Sequence, residues 1–150
     1  MIEEFLRNKK VGFEVVRHEL AFTAQETAAA DHVSGYEFAK TVIVTDGAQC
    51  YMLVLAAPYA VDLKKASKLI GKKLKLATEE QMKPLFPDCD VGAEPPFGSI
   101  YHLPTWVDES LGRQEEIVFR AGTHEKTIKM RYDDYVKVEN PQVGAFAAVS

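Results

Sequence analysis

The feature that most constrains the fold is a pair of apolar segments joined by Asp46-Gly47. The first segment, residues 38–45, is rich in β-branched side chains, and the second, residues 49–57, is largely apolar. Asp-Gly between two such segments is a strong signal for a β-hairpin. The sequence therefore predicts two antiparallel strands at the centre of the chain, buried on at least one face.

One lysine stands near the beginning of the first of these strands. Because side chains alternate along a strand, Lys40 is expected on the same face as Val42 and Val44, and Thr41 on the opposite face. An ammonium group beside a buried strand must reach water, find a partner or serve a function. The strand alone favours the first of these, because a long lysine side chain can extend to solvent.

Local signals on both sides of the hairpin predict further helices and strands, interspersed along the chain. Asp62 and Thr78 have the residue types that cap helix N-termini, and Gly71 suits a helix end. The pattern predicts a single α+β domain over residues 1–150, with a curled mixed β-sheet flanked by helices. Helices are expected at 2–10, from Thr23 to about 33, at 63–70, from Thr78 and from Asp133, and strands at 13–17, 115–121 and 127–132.

Composition limits the classes of protein to consider. The chain has 150 residues, of which 47% are hydrophobic, as in an ordinary soluble globular domain. No apolar run approaches the ~18 residues of a membrane helix, so no membrane partner is expected. Two cysteines frame no disulfide scaffold and fit a reducing compartment, which predicts a cytoplasmic protein. A net charge of −4 argues against indiscriminate coating of nucleic acid, and no DNA partner is expected.

The common catalytic motifs are missing. The sequence has no Gly-x-Ser-x-Gly, His-Glu-x-x-His, Cys-x-x-Cys or P-loop pattern. Its four histidines are scattered without the spacing of metal ligands. We therefore predict neither a metal nor a cofactor.

Six lysines crowd residues 64–75 of this otherwise acidic chain. A solvated helix face would account for them, since lysines are common there. The alternative is a local phosphate-binding patch for a nucleic acid. The residues by themselves leave both interpretations open.

Five short motifs follow one another in a recognisable order. They are Thr23-Ala24-x-Glu26, Lys40-Thr41-Val42-Ile43-Val44, Asp62-Leu63-Lys64-Lys65, Gly92-x-x-x-Pro96-Phe97-Gly98 and Gly122-x-His124. This ordered set resembles the YbaK-like family, also called the prolyl-tRNA-synthetase-associated domain, from about His18 to Pro141. Its members are aminoacyl-tRNA editing domains, found inside a synthetase or free-standing.

The resemblance implies hydrolysis of an amino acid wrongly esterified to tRNA, with alanine on proline tRNA as the commonest case in the family. It implies that the neighbouring hydroxyl of the terminal ribose assists the water, so that neither a triad nor a metal is needed. Catalytic roles are implied for Lys40 at the head of its strand, for Gly92 in the Gly-x-x-x-Pro loop and for His124. The residues expected to bind substrate are Thr23, Glu26, Thr41, Pro96, Phe97 and Gly98.

Two further expectations concern partners and specificity. Our own assignment, beyond the family, places the acceptor stem of the tRNA on Lys64, Lys65, Lys68, Lys72 and Lys73. An aminoacyl-tRNA synthetase is left open as a second partner. Glu94 and the pair Pro95-Pro96 inside the loop bear on substrate size or orientation.

Two other functions remain as alternatives. A non-catalytic module of the same fold would bind tRNA or a synthetase without hydrolysis. A hydrolase of some other small ester would act without dependence on the tRNA body or on salt. The sequence does not identify the amino acid that is removed.

Overall fold

A computed structural model describes residues 1–17 and 34–149. The predicted helix from Thr23 to about 33, and with it Thr23 and Glu26, lies outside the described residues. The described helices are α1 (Ile2–Asn8), α2 (Leu63–Ile70), α3 (Glu79–Met82) and α4 (Tyr132–Glu139). The described strands are β1 (Glu14–Arg17), β2 (Ala39–Thr45), β3 (Cys50–Ala56), β4 (Tyr59–Val61), β5 (Lys75–Leu76), β6 (Thr105–Asp108), β7 (Glu116–Arg120), β8 (Lys126–Arg131), β9 (Gln142–Gly144) and β10 (Ala147–Val149).

Strands β2 and β3 form the predicted hairpin. Their register runs from Ala39 opposite Ala56 to Thr45 opposite Cys50. At the turn, the Asp46 carboxylate accepts hydrogen bonds from the N–H groups of Ala48 and Gln49, at 2.8 Å each. Gly47 has a φ of 100°, a conformation that favours glycine. The Asp46 side chain and the positive φ of Gly47 therefore form the turn that the Asp-Gly pair predicts.

The hairpin is the centre of a five-stranded sheet with the order β5-β2-β3-β6-β9. Strands β5, β2 and β3 pair antiparallel, whereas β3, β6 and β9 pair in parallel. The predicted α+β fold with a mixed sheet is confirmed. Two smaller sheets, β1-β8-β7 and β10-β4, accompany it. The parallel strands were not predicted, because they pair with segments distant in sequence.

Side-chain alternation assigns the apolar residues on the two faces of the five-stranded sheet to two larger hydrophobic clusters. Ile43 and Met52 belong to the larger cluster, which also contains the inner residues of β7 and β8. Val44 and Leu53 belong to the smaller cluster, together with Ala66 of α2. The five-stranded sheet is thus covered by β7 and β8 on one face and by α2 on the other, and burial of apolar area on both faces stabilises it.

A single β-bridge joins the five-stranded sheet to the sheet of β7. Phe38 and Val118 form this bridge in parallel orientation, and the Val118 N–H donates to the Glu37 carbonyl at 2.9 Å. Both bridge residues are buried, and Ala57 completes their small cluster. The bridge places the beginning of β2 beside the middle of β7.

Helix α2 has the ends that its sequence predicts. Asp62 accepts hydrogen bonds from the N–H groups of Lys64 and Lys65, and Gly71 ends the helix with a φ of 81°. Among the described residues, no helix has the length and apolar character needed to cross a bilayer.

Candidate functional site

The loop of residues 90–98, here called the Gly92 loop, lies against residues 120–125, the last residue of β7 and the connection to β8, here called the β7–β8 turn. Two backbone hydrogen bonds join them, and both involve Gly122. The Asp90 N–H donates to the Gly122 carbonyl at 2.8 Å, and the Gly122 N–H donates to the Ala93 carbonyl at 2.9 Å. Gly122 has a φ of 93°, which an L side chain rarely adopts. The backbone at Gly122 thus fixes the first half of the loop at two points.

Two side chains from the same turn hold the carbonyls between those points. Arg120 donates from Nη1 to the Gly92 carbonyl at 3.1 Å. The Nε2 atom of His124 lies 2.7 Å from the Val91 carbonyl oxygen. Because a carbonyl oxygen only accepts, Nε2 carries the proton in this contact. Arg120 and His124 are both buried, at 7% exposure each. Three successive carbonyls of the loop are therefore bonded to the β7–β8 turn.

Gly92 itself adopts a left-handed conformation with a φ of 83°. A Cβ atom there would lie 3.5 Å from Cε1 of His124, so the imidazole lies directly beside the glycine. The structure thus brings together Gly92 and His124, which the sequence predicts to share a site. With its carbonyl turned toward Arg120, Gly92 directs its N–H at the carboxylate of Glu94, with a distance of 3.1 Å to Oε2.

Glu94 is a buried acid, with 6% exposure. Burial raises the pKa of its carboxyl group above the ordinary value of 4.5. The N–H groups of Glu94 and Gly92 and the charges of His124 and Arg120 lower the pKa, but they only partly offset the effect of burial. The N–H of Gly92, for which the resemblance implies a catalytic role, is thus already bonded to a carboxyl group of the protein.

The second half of the Gly92 loop is anchored in the core. The carbonyl of Pro96 accepts a hydrogen bond from the Tyr135 hydroxyl at 2.8 Å. Phe97 is fully buried, with its ring 5.1 Å from that of Tyr135. A Cβ atom on Gly98 would lie 2.6 Å from the Leu103 carbonyl oxygen, so this position excludes any side chain. These three residues, expected to bind substrate, fix the loop to the core; a direct contact with substrate stays a prediction.

Lys40 lies where β2 begins, half-buried, and donates from Nζ to the Ala57 carbonyl at 3.1 Å. Burial lowers the pKa of its ammonium group. Lys40 follows the bridge residue Phe38 by two positions, and Arg120 follows Val118 by two in the same direction. Since side chains alternate, Lys40 and Arg120 project from the same face at this junction. Within the described residues, no hydrogen bond joins Lys40 to the Gly92 loop.

Thr41 faces the other side of β2, opposite Val54 in the hairpin register. Its hydroxyl oxygen is buried and has no hydrogen-bond partner in the described part of the chain. A buried hydroxyl without a partner costs free energy, which distinguishes it from an ordinary core position. Its role in binding substrate stays a prediction.

The segment of residues 64–75, here called the lysine segment, comprises most of α2, the turn after it and the first residue of β5. All six of its lysines are exposed. Helix α2 covers the face of the five-stranded sheet that carries Val42 and Val44, which is also the face of Lys40. The segment and Lys40 thus lie on one side of the sheet. The lysines assigned to tRNA are Lys64, Lys65, Lys68, Lys72 and Lys73.

Across residues 1–17 and 34–149, no group of three or more His, Cys, Asp and Glu side chains is arranged to hold a metal ion. Cys89 packs beside Tyr101, with its sulfur 3.2 Å from the hydroxyl oxygen, and burial raises the pKa of its thiol to about 11. A thiol with that pKa is protonated near neutral pH and is a poor nucleophile.

Sequence reasoning did not assign a role to Arg120. The signal was present, because an arginine ends the otherwise apolar run Ile117-Val118-Phe119 of a buried strand. A buried charge of this kind needs a defined partner, and one partner here is the Gly92 carbonyl. Only the fold shows that these two residues, distant in sequence, meet.

Comparison with known proteins identifies the family of this chain. The family model of the aminoacyl-tRNA editing domain matches residues 18–138, which include Lys40, the Gly92 loop and His124. The chain belongs to the aminoacyl-tRNA editing domain family. The resemblance to YbaK-like proteins is thereby confirmed. A curated relative from Escherichia coli K12, the multifunctional Ser/Thr-tRNA deacylase ProXp-y, is 28% identical over 147 residues, covering 94% of this chain and 87% of the relative.

Solved structures support the same fold. A structure described as a candidate trans-editing enzyme for prolyl tRNA synthetase superposes with a TM-score of 0.88 at 24% identity, covering 98% of this chain and 94% of that one. The hypothetical protein APE2540 gives a TM-score of 0.89 at 22% identity, covering 98% of this chain and 99% of the other. At these identities the two likenesses show the fold alone.

Proposed function

We propose that this protein is a deacylase that acts in trans and hydrolyses the ester between a small, wrongly attached amino acid and tRNA. The observation that carries the proposal is the bonding of the Gly92 loop. Its carbonyls at positions 91–93 are held by the β7–β8 turn, and the N–H of Gly92 is directed at Glu94. A fixed amide beside a buried imidazole suits stabilisation of an oxyanion at an ester carbonyl.

An aminoacyl ester is already reactive, so the protein mainly has to place water and stabilise charge. Water adds to the carbonyl carbon and the carbonyl oxygen becomes an oxyanion. The carbon–oxygen bond to the ribose then breaks, and the ribose oxygen takes up a proton. The products are the free amino acid and tRNA with its terminal hydroxyl restored.

The residues have distinct proposed roles in this reaction. Gly92 offers its N–H to the oxyanion, while Lys40 holds the terminal phosphate or the developing charge. His124 positions the loop through the Val91 carbonyl, and the neighbouring ribose hydroxyl assists the water. The lysine segment receives the acceptor stem. We propose that no metal takes part.

Two lines of reasoning bear on which amino acid the protein removes from tRNA. Alanine on proline tRNA is the case we predict from the family resemblance. The name of the E. coli relative, a Ser/Thr-tRNA deacylase, favours serine or threonine. These side chains are all small, and one methylene in a pocket changes binding by only about 1–3 kcal/mol. A panel of substrates is therefore needed to choose among them.

One observation favours a non-catalytic binding module as the second candidate. The Gly92 N–H is bonded to Glu94, so the amide is not open to a substrate oxygen in this conformation. A module of this kind would bind aminoacyl-tRNA or a synthetase without turnover.

The test is single-turnover deacylation of proline tRNA carrying alanine, serine, threonine, cysteine or proline, with Lys40→Ala protein in parallel. We expect selective hydrolysis of one small mischarged species and a fall of about 10²–10³-fold in Lys40→Ala, which corresponds to one charge contact worth roughly 2.7–4 kcal/mol. Lys137→Ala, an exposed lysine on α4, is the matched control and should retain the full rate.

The two candidates give different results. Full activity of Lys40→Ala would overturn the role of this lysine. Tight binding of tRNA with no hydrolysis of any charged species, on proline, serine or threonine tRNA, would favour the binding module.

A further inference from the structure

The carboxylate of Glu94 has the environment of a ligand-binding group more than that of a structural ion. It is buried, and its hydrogen bond is to the Gly92 N–H at 3.1 Å. Within the described residues, no cation forms an ion pair with it. A buried carboxylate of this kind is costly to keep without a cationic partner.

Glu94 lines a cavity of ≈ 200 Å³ between α3 and the Gly92 loop. Its walls are apolar and include the side chains of Met82, Phe86 and Val91. Glu79 and Lys83 lie exposed at its rim. The cavity thus combines one buried carboxylate with apolar surroundings, which fits a small ligand with a cationic group and a short apolar part.

The cavity adjoins the amide that the proposed reaction uses. Val91 and Glu94 both line it; Val91 directly precedes Gly92 in the chain, and Glu94 follows Gly92 by two positions. In an aminoacyl ester the α-ammonium nitrogen and the carbonyl oxygen are separated by only two carbon atoms. A carboxylate and an N–H group that touch each other can therefore meet both ends of one such group.

We propose that Glu94 binds the α-ammonium group of the aminoacyl moiety and, on doing so, releases the Gly92 N–H to the ester carbonyl oxygen. The inference rests on the proposed deacylase function and names the group that recognises its substrate. Before substrate arrives, Glu94 occupies the amide. The ammonium then gives the carboxylate a charged partner, and the carbonyl oxygen takes its place on the N–H.

This arrangement gives the bond between the Gly92 N–H and Glu94 a role in the reaction. It also gives the apolar cavity a purpose, because the side chain of a small amino acid can enter it once the ammonium is bound. An ester without a free ammonium would leave Glu94 on the Gly92 N–H and lose the oxyanion donor.

The experiment compares aminoacyl-tRNA with its N-acetylated form, using the species that the panel identifies as substrate. Each rate is corrected for hydrolysis without enzyme. We expect the wild-type protein to hydrolyse the free-amine substrate about 10- to 100-fold faster, as a charge-assisted contact implies. In Glu94→Gln, which keeps the size and an acceptor oxygen, the rate on the free-amine substrate should fall and the preference should shrink to less than about threefold.

Glu80→Gln is the matched control, because Glu80 lies on α3, which borders the cavity, but is exposed and does not line it. Its preference should equal that of the wild-type protein. Equal rates of the wild-type protein on both substrates, or a full preference in Glu94→Gln, would overturn the role of Glu94 while leaving the deacylase function intact. The wild-type comparison does not depend on any variant folding. If neither substrate is hydrolysed by any protein, the deacylase function fails, and the inference fails with it.

Discussion

The Gly92 loop and the lysine segment, the two regions proposed to meet the substrate, are built in opposite ways. In the loop, the β7–β8 turn bonds each carbonyl from Val91 to Ala93, and Phe97 is fully buried. In the lysine segment, all six lysines are exposed. One region fixes individual atoms, whereas the other offers charge without fixed partners.

This difference corresponds to two physical tasks. Stabilising an oxyanion requires a donor at a defined position, and an error of 1 Å there costs about 100-fold in rate. Attraction of a polyanion requires only positive charge near its phosphates, and salt screens it. We therefore expect changes in the loop to alter kcat, and changes in the lysine segment to alter binding of tRNA and its dependence on salt.

The largest expected effect is a loss of kcat when a bond that fixes the Gly92 loop is removed. Arg120→Met removes the donor to the Gly92 carbonyl but keeps the length of the side chain. We expect kcat to fall about 100-fold because the amide moves, with KM for tRNA unchanged. Single-turnover and steady-state deacylation measure the two quantities. Arg113→Met, at an exposed arginine, is the control, and an unchanged kcat in Arg120→Met would show that the loop does not need this bond.

An intermediate effect is expected on tRNA binding when charges are removed from the lysine segment. Lys68→Gln/Lys72→Gln removes two exposed charges from the lysine segment. We expect KM for tRNA to rise, kcat to stay constant, and the slope of log K against log salt to become shallower by about 1.4–1.8 for two lost contacts. Arg113→Gln/Lys137→Gln removes the same charge elsewhere on the surface. Equal slopes for the two variants would assign the lysines to a solvated face.

The smallest expected effect concerns stability and pH. Burial raises the pKa of Glu94 in the folded protein above its ordinary value of 4.5, so the folded state binds this proton more tightly than the unfolded state. Stability from this group is present below the ordinary pKa and is lost as the pH rises through the folded value. Glu94→Gln avoids that loss, so its Tm should exceed that of the wild-type protein at pH 7, and the difference should disappear below the ordinary pKa.

Thermal unfolding at several pH values measures this effect. Lys68→Gln/Lys72→Gln should leave Tm nearly unchanged at each pH, because exposed substitutions usually change stability by less than about 0.5 kcal/mol. A Tm of Glu94→Gln equal to or below that of the wild-type protein at pH 7 would contradict the unfavourable burial of this carboxylate.

Much of the local structure could be predicted because its causes are local. Asp46-Gly47 turns the hairpin through its own side chain and a positive φ, and Asp62 and Gly71 begin and end α2. The strands β7 and β8 were likewise predicted from their local sequence. The parallel strands β6 and β9 were not, because their pairing depends on segments far away in the chain.

The candidate site divides along the same line. Lys40, Gly92 and His124 could be selected from the sequence because they stand in an ordered set of motifs. The bond from Arg120 to the Gly92 carbonyl and the bond from Gly92 to Glu94 could not be predicted. Nothing in the local sequence states which donor a given carbonyl will meet after folding.

By itself, the sequence determined the central hairpin, the capped helix α2 and the family to which the motifs belong. The tertiary structure decided that the Gly92 amide points at Glu94, and that Lys40 and Arg120 project from one face at the Phe38–Val118 bridge. The physical reason is the separation along the chain of the groups that interact. A turn or a cap depends on atoms a few residues apart, whereas the direction of an amide depends on every distant group that bonds its neighbours.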